Sequence, residues 1–283
     1  MLNRKDGKYL RDVDSMHTIM PIIYPNRCDN EAFISEIVDL TNINRYLEKK
    51  NGENPEYKYN LFQVLITSLL KTLSLRPKMN RFVAHKRLYQ RNEISAAFTV
   101  KKIFSDDGEE ALAFIHAKED DNINSIHDEI YRQVSYYKGG SKDSSTEAMD
   151  FVQKLPVPIV QLIGNVARFL DKRGLMPKSV IETDPYYATC VVSNLGSIKL
   201  HAGYHHLTNW GTTSVFMVIG ERKLRPFYDE EGKVEMRDSV DITLTVDERI
   251  ADGYYYAKTI RLLRKLLENP ELLETALIEK VEY

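Results

Sequence analysis

Cysteine is scarce in this chain: Cys28 and Cys190 are the only two in 283 residues. They form no C-x-x-C pair, which excludes a thiolate zinc site and a disulfide framework and suits a reducing compartment such as the cytoplasm. Long hydrophobic runs are also missing. None approaches the ~20 residues needed to span a bilayer, so no membrane association is expected. The start, Met1-Leu2-Asn3-Arg4-Lys5-Asp6, is charged and leads into no apolar stretch, so no signal peptide is expected. An excess of either charge is absent too. The 39 Lys and Arg residues nearly cancel 41 Asp and Glu, leaving a net charge of −2. A nucleic-acid partner would require a basic excess or stripe, so none is expected. There is no internal repeat and no low-complexity tract. The most linker-like stretch, Lys138-Gly139-Gly140-Ser141-Lys142-Asp143-Ser144-Ser145, is short and reads as a surface loop. One domain over residues 1–283 is therefore expected, and 43% hydrophobic residues are enough to give it a large core.

Several elements are legible. Leu61, Val64, Leu65, Leu69 and Leu73 share one helical face. Asn60 is placed to cap that helix and Arg76-Pro77 to end it. Ile94 to Phe104 and Ala111 to Ala117 read as two strands joined around Asp106-Asp107-Gly108. Ile123, Ile126, Ile130 and Val134 predict a second helix. Tyr187 to Ser193 and Thr213 to Gly220 read as strands, and Glu231-Gly232 as a turn. The clearest strand is Val240 to Val246, where apolar Val240, Ile242, Leu244 and Val246 alternate with Asp241, Thr243 and Thr245. After Gly253 a helix carries Tyr256, Ile260, Leu263 and Leu267 on one stripe. Leu272, Leu273, Ala276 and Leu277 predict a short final helix. Clustered strands with separate helices indicate an α+β sandwich.

The segment Leu244-Thr245-Val246-Asp247-Glu248-Arg249-Ile250-Ala251-Asp252-Gly253, with the helix after it, resembles the C-terminal signature of dihydrolipoyl acyltransferases. In that family a strand runs into His-Arg-x-x-Asp-Gly; chloramphenicol acetyltransferases carry His-x-x-x-Asp-Gly. Val191-Val192-Ser193-Asn194-Leu195-Gly196 resembles the family's strand ending in Ser-Asn-Leu-Gly. Asn209 and the apolar strand Val215 to Gly220 follow in the family's order. More loosely, Glu36 to Thr41 and Pro77-Lys78-Met79-Asn80 resemble blocks of its N-terminal half. The resemblance spans roughly residues 12 to 280. It implies a chloramphenicol acetyltransferase-like two-layer sandwich, a mixed sheet with flanking helices, assembled as a homotrimer with interfacial sites. It implies transfer of an acyl group between acyl-CoA and a small acceptor, with coenzyme A as substrate and no metal. In the family a histidine takes the acceptor's proton, a serine matched by Ser193 hydrogen-bonds the oxyanion, and an aspartate matched by Asp252 steadies the histidine loop. Lipoyl and subunit-binding domains usually precede such a domain in dihydrolipoyl acyltransferases, and none is expected here.

One position departs from the pattern. Glu248 stands where the family has its catalytic histidine. An imidazole near ~6.5 lies ~2 pH units below a thiol acceptor, while a glutamate near ~4.3 lies ~4 below it, a proton transfer roughly a hundredfold harder. Strand parity predicts that Glu248 leaves on the apolar face, where burial would raise its pKa to ~7. On the bland alternative it ends a strand, meets water or a basic residue, and the site is silent. Asp252 equally suits an N-cap, and Ser193 a turn-stabilising hydroxyl. His201, His205 and His206, in the loop after Ser193, are candidates for a relocated base; a plain surface loop is their alternative. Tyr254-Tyr255-Tyr256 invite a stacking role, but packing on the sheet or a neighbouring subunit is as ordinary. Two readings stay open: a CoA-dependent acyltransferase, and a catalytically inactive trimeric homologue with a binding or structural role.

Overall fold

The computed structural model describes residues 3–101, 110–139 and 151–283. In chain order the elements are β1 (Gly7–Tyr9), α1 (Ser15–Ile23), β2 (Glu31–Asp39), α2 (Thr41–Gly52), α3 (Leu61–Leu75), β3 (Arg81–Ala84), β4 (Arg87–Arg91), β5 (Ile94–Lys101), β6 (Glu110–Ala117), α4 (Ile123–Lys138), α5 (Val157–Arg173), α6 (Lys178–Thr183), β7 (Cys190–Asn194), β8 (Val215–Tyr228), β9 (Val234–Asp247) and α7 (Gly253–Glu268). Six strands form one mixed sheet in the order β2-β9-β8-β7-β5-β6, and β1-β4-β3 form a small antiparallel one. In the large sheet β7 runs parallel to β5 and β8; the other pairs are antiparallel. This is the expected α+β sandwich.

The core lies where the sequence patterns put it. Leu65, Leu69 and Leu73 of α3 and Leu263 and Leu267 of α7 pack in one buried cluster with Val240, Ile242, Leu244 and Val246. Burying each such side chain contributes on the order of 2 kcal/mol. Asn60 caps α3 as expected, its side chain accepting from Phe62 N at 2.9 Å, while Gln63 accepts from Asn60 N at 2.8 Å. The opposite face of the sheet has a smaller cluster, including Ala97, Val191, Phe216 and Val218, closed by Leu207 from the loop after β7. Towards the β2 edge that face is open, with Phe33 and Ile37 more than half exposed.

Some expectations change. The predicted final helix is a single 3-10 turn, Pro270–Glu274. Buried Lys71 explains this: its ammonium donates to the carbonyls of Leu272, Thr275 and Ala276, drawing them away from a helical ladder. The strand predicted from Tyr187 begins at Cys190, because Pro185–Tyr187 form a 3-10 turn capped by Asp184. β8 and β9 reach past their predicted ends to a turn at Gly232, whose φ of 81° suits glycine. Helix α5 carried no sequence reading. The Asp106-Asp107-Gly108 turn and most of the Lys138–Ser145 loop lie outside the described residues.

Candidate functional site

The end of β9 determines what Glu248 can do. Asp247 is fully buried and pairs with Arg249, which donates from Nε at 2.8 Å and Nη2 at 2.7 Å. The Arg249 amide also donates to Asp247 Oδ1 at 3.2 Å, so the carboxylate caps the short turn Glu248–Ile250. That turn ends the strand at Asp247 and breaks the alternation. Glu248 is therefore exposed, contrary to the expectation from parity, and the burial on which its catalytic case rested is absent from the single chain. Its backbone is fixed, since the Glu248 amide donates to Asn30 O at 2.8 Å. Arg249 donates onward to the carbonyls of Tyr24 and Pro25.

Asp252 is an N-cap. It accepts from Tyr255 N at 2.9 Å, and this hydrogen bond holds its exposed carboxyl below the usual carboxylate range. Lys78 Nζ lies 3.9 Å away. The loop steadied in the family by this aspartate is anchored here by the Asp247–Arg249 pair and by Tyr256, whose hydroxyl donates to Asp247 O at 2.8 Å. Tyr255 covers Arg76, with the guanidinium carbon 3.7 Å from its ring centre, and Tyr254 is exposed.

Ser193 lies at the far end of the sheet. It pairs with Val218 of β8, which pairs with Thr243, five residues before Glu248. At about 3.3 Å per residue and 4.8 Å per strand, Ser193 and Glu248 of one chain are roughly 19 Å apart. Ser193 is partly buried, and its hydroxyl has no hydrogen-bond partner among the described residues. It lines a cleft of about 470 Å³ with apolar Phe62, Phe98 and Val134 and with Lys101 and Lys138. Among the described residues lining that cleft, none is a histidine or a carboxylate. The turn after Ser193 depends on Gly196: a Cβ there would lie 2.4 Å from Gly220 O. Lys101 and Lys138 gave no sequence signal, because one ends a strand and the other a helix.

The three loop histidines diverge. His201 is exposed, with Nδ1 2.8 Å from Glu221 Oε1 and 2.6 Å from Lys223 Nζ. His205 stacks on Phe216, with ring centres 4.0 Å apart and planes 8° apart. Its Nδ1 lies 2.8 Å from His206 O. A carbonyl only accepts, so Nδ1 carries the proton, and in the neutral form of the ring the lone pair is on Nε2. Phe216 pairs with Thr245 on one side and Val191 on the other, which places the ring under His205 about 8 Å from the Ser193 backbone and about 11 Å from that of Glu248. His206 stacks on His205 at 4.7 Å. Cys190 is sealed in β7, its thiol pushed up to about 12 by burial. Among the described residues no three His, Cys, Asp or Glu side chains are grouped to hold a metal ion, and no helix is long and apolar enough to cross a membrane.

The mixed sheet with helices packed on one face is a two-layer sandwich. The chain has the fold of the chloramphenicol acetyltransferase and dihydrolipoyl acyltransferase superfamily. Its residues 178–275, which include Ser193, Glu248 and Asp252, match the model of the 2-oxoacid dehydrogenases acyltransferase catalytic domain. A probable dihydrolipoamide acetyltransferase from Listeria monocytogenes superposes with a TM-score of 0.61 at 16% identity, over 96% of this chain and 99% of that one. The cubic core of a pyruvate dehydrogenase multienzyme complex gives 0.61 at 14% identity, over 93% of each chain. A chloramphenicol acetyltransferase gives 0.55 at 11% identity, over 94% and 99%. No curated protein sequence gives a significant match.

Proposed function

We propose that this chain is a CoA-dependent acyltransferase that passes an acyl group between acyl-CoA and a small acceptor, at sites shared between copies in a homotrimer. The observation that carries the reading is the Ser193 cleft: a free hydroxyl on an apolar wall, with Lys101 and Lys138 to meet an anionic donor. Among the described residues lining it the cleft has no base, and Glu248 of the same chain lies roughly 19 Å away. A neighbouring copy would supply one. His205 suits the task better than Glu248, because its tautomer leaves Nε2 free and an imidazole is better matched to a thiol or hydroxyl acceptor.

In this reaction the acceptor's X–H attacks the thioester carbonyl and its proton passes to His205 Nε2 of the adjacent copy. The C=O electron pair moves onto oxygen, and the oxyanion accepts a hydrogen bond from Ser193 Oγ–H. Collapse reforms the carbonyl and breaks the C–S bond. The imidazolium returns the proton to the departing CoA thiolate, so charge and protons balance.

The test is release of free thiol from acetyl-CoA with a panel of amine, hydroxyl and thiol acceptors. Ser193→Ala should lower kcat by about 10²–10³-fold and His205→Gln by about 10²–10⁴-fold, while Glu248→Gln retains most of the activity. The reverse pattern for the last two would return the base to Glu248. Unchanged rates in all three would reject this site, and no turnover with any acceptor would reject the enzyme.

A second reading is favoured by one observation, the exposed carboxylate at the family's histidine position. On it the trimer is catalytically silent and serves binding or structure. Calorimetric binding of CoA without thiol release in the wild type or in Glu248→His would support it.

A further inference from the structure

Behind the end of β9 lies a second and larger cleft, of about 780 Å³, which the reaction above does not use. Its wall includes Arg27, His85, Lys86, Arg168, Lys172 and Arg249, against one carboxylate, Asp171. The two buried carboxylates nearest these guanidiniums are already engaged. Asp247 holds Arg249 in a two-pronged pair. Asp171 takes Arg4 Nη2 at 2.9 Å and the Tyr187 hydroxyl at 2.8 Å. Arg27 shares the Asp247 carboxylate: its Nε, buried without a hydrogen bond, lies 3.6 Å away. Its Nη1 donates to Thr208 O at 2.6 Å, and its Nη2 to Gly211 O at 3.0 Å and Val83 O at 3.2 Å. Two guanidiniums thus draw on one carboxylate, which leaves net positive charge at the floor of the cleft.

The rim adds to this charge. Lys86, Arg168 and Lys172 are exposed, and none has a carboxylate within ion-pair distance among the described residues. They sit on two elements, the β3–β4 turn and the last turns of α5, so they face one another across the cleft. His85 reports the local potential: burial and the nearby cations Arg87, Arg173, Lys172 and Lys86 hold its pKa below the usual histidine value. Trp210 forms a flat side of the same cleft, its indole fixed by donation to Asp184 at 2.7 Å.

We infer that this cleft is an anion site for a phosphate group, with Arg27 at its floor and Lys86, Arg168 and Lys172 at its rim. The inference does not depend on the acyltransferase reading. A phosphate presents several acceptor oxygens to donors arriving from different directions, which the floor and rim provide. Free phosphate and the phosphate of a nucleotide-like ester share this chemistry.

Trp210 is the chain's single tryptophan, so tryptophan emission reports on one position, in the wall of this cleft. Inorganic pyrophosphate added to the full chain at low ionic strength should change that emission saturably, and added salt should weaken the affinity. Combined Lys86→Ala, Arg168→Ala and Lys172→Ala should weaken it at least ~tenfold, since exposed charges are lost with little effect on folding. Removing as much charge elsewhere, by Lys49→Ala, Lys265→Ala and Lys280→Ala, should leave it within ~twofold. CoA that competes with pyrophosphate for the Trp210 signal would identify an ester as one source. CoA that binds without moving the signal would leave free phosphate as the source. No saturable response to pyrophosphate, or equal affinity in both triple variants, would overturn the inference, whether or not the chain turns over acetyl-CoA.

Discussion

Asp247 and Glu248 are neighbours with opposite fates. Asp247 has no exposure and is held by Arg249, while Glu248 meets solvent. Removing one partner of a buried ion pair leaves the other charge without compensation, at about 3–5 kcal/mol. Arg249→Met should therefore lower the urea midpoint sharply, and Glu248→Gln should change stability by less than about 0.5 kcal/mol. Equilibrium urea unfolding of the two variants checks this; similar losses would mean that the buried pair does not organise the turn. The pair also explains why sequence reading misplaced Glu248. Alternation from Val240 to Val246 gave the strand and its buried face correctly. It could not show that the Asp247 carboxylate is used as a cap, which ends the alternation one residue too early for Glu248. Asp252 was legible because a cap depends only on residues beside it in sequence. Arg27 was not, since its partners come from Val83, Thr208 and Gly211, far along the chain.

At the scale of elements, local signals held and long-range ones failed. The capping box of α3 and the stripe of α7 are written in consecutive residues, and both helices appear where expected. The last turn of the chain is set from outside. Four apolar residues predicted a helix, yet Lys71, two hundred residues away, takes three carbonyls of that segment and Thr275 Oγ1 at 2.7 Å. Burial holds the Lys71 pKa below the usual lysine value, consistent with an ammonium solvated by protein oxygens in place of water. Lys71→Met keeps the bulk and removes the donors. Each stranded acceptor costs on the order of 1 kcal/mol, so a loss of about 3 kcal/mol is expected. Hydrogen exchange should accelerate first over residues 270–277. Uniform acceleration across α3 and the sheet would instead mean that Lys71 supports the core as a whole.

At the scale of the molecule, the sheet separates Ser193 from Glu248. Its register places them roughly 19 Å apart, with Phe216, the ring on which His205 stacks, between them. Among the described residues, the cleft at Ser193 is lined by no base. Large apolar side chains are exposed along the same molecule: Phe33 and Ile37 on the open sheet face, and Leu162, Val166 and Phe169 on α5. Two arrangements are compatible with these facts, a site shared between copies of a trimer or a silent trimer, and complementation separates them. Ser193→Ala and His205→Gln are each expected to be inactive alone. Mixed, unfolded and refolded together, they would form trimers in which a native Ser193 meets a native His205 at about a quarter of the interfaces. Thiol release from acetyl-CoA should then return to about a quarter of the wild-type rate, in a particle of about 98 kDa built from three 32.8 kDa chains. A site contained within one chain cannot be rebuilt this way, because no single chain in the mixture carries both groups. Refolded trimers without activity would place the two residues in one site within a single chain.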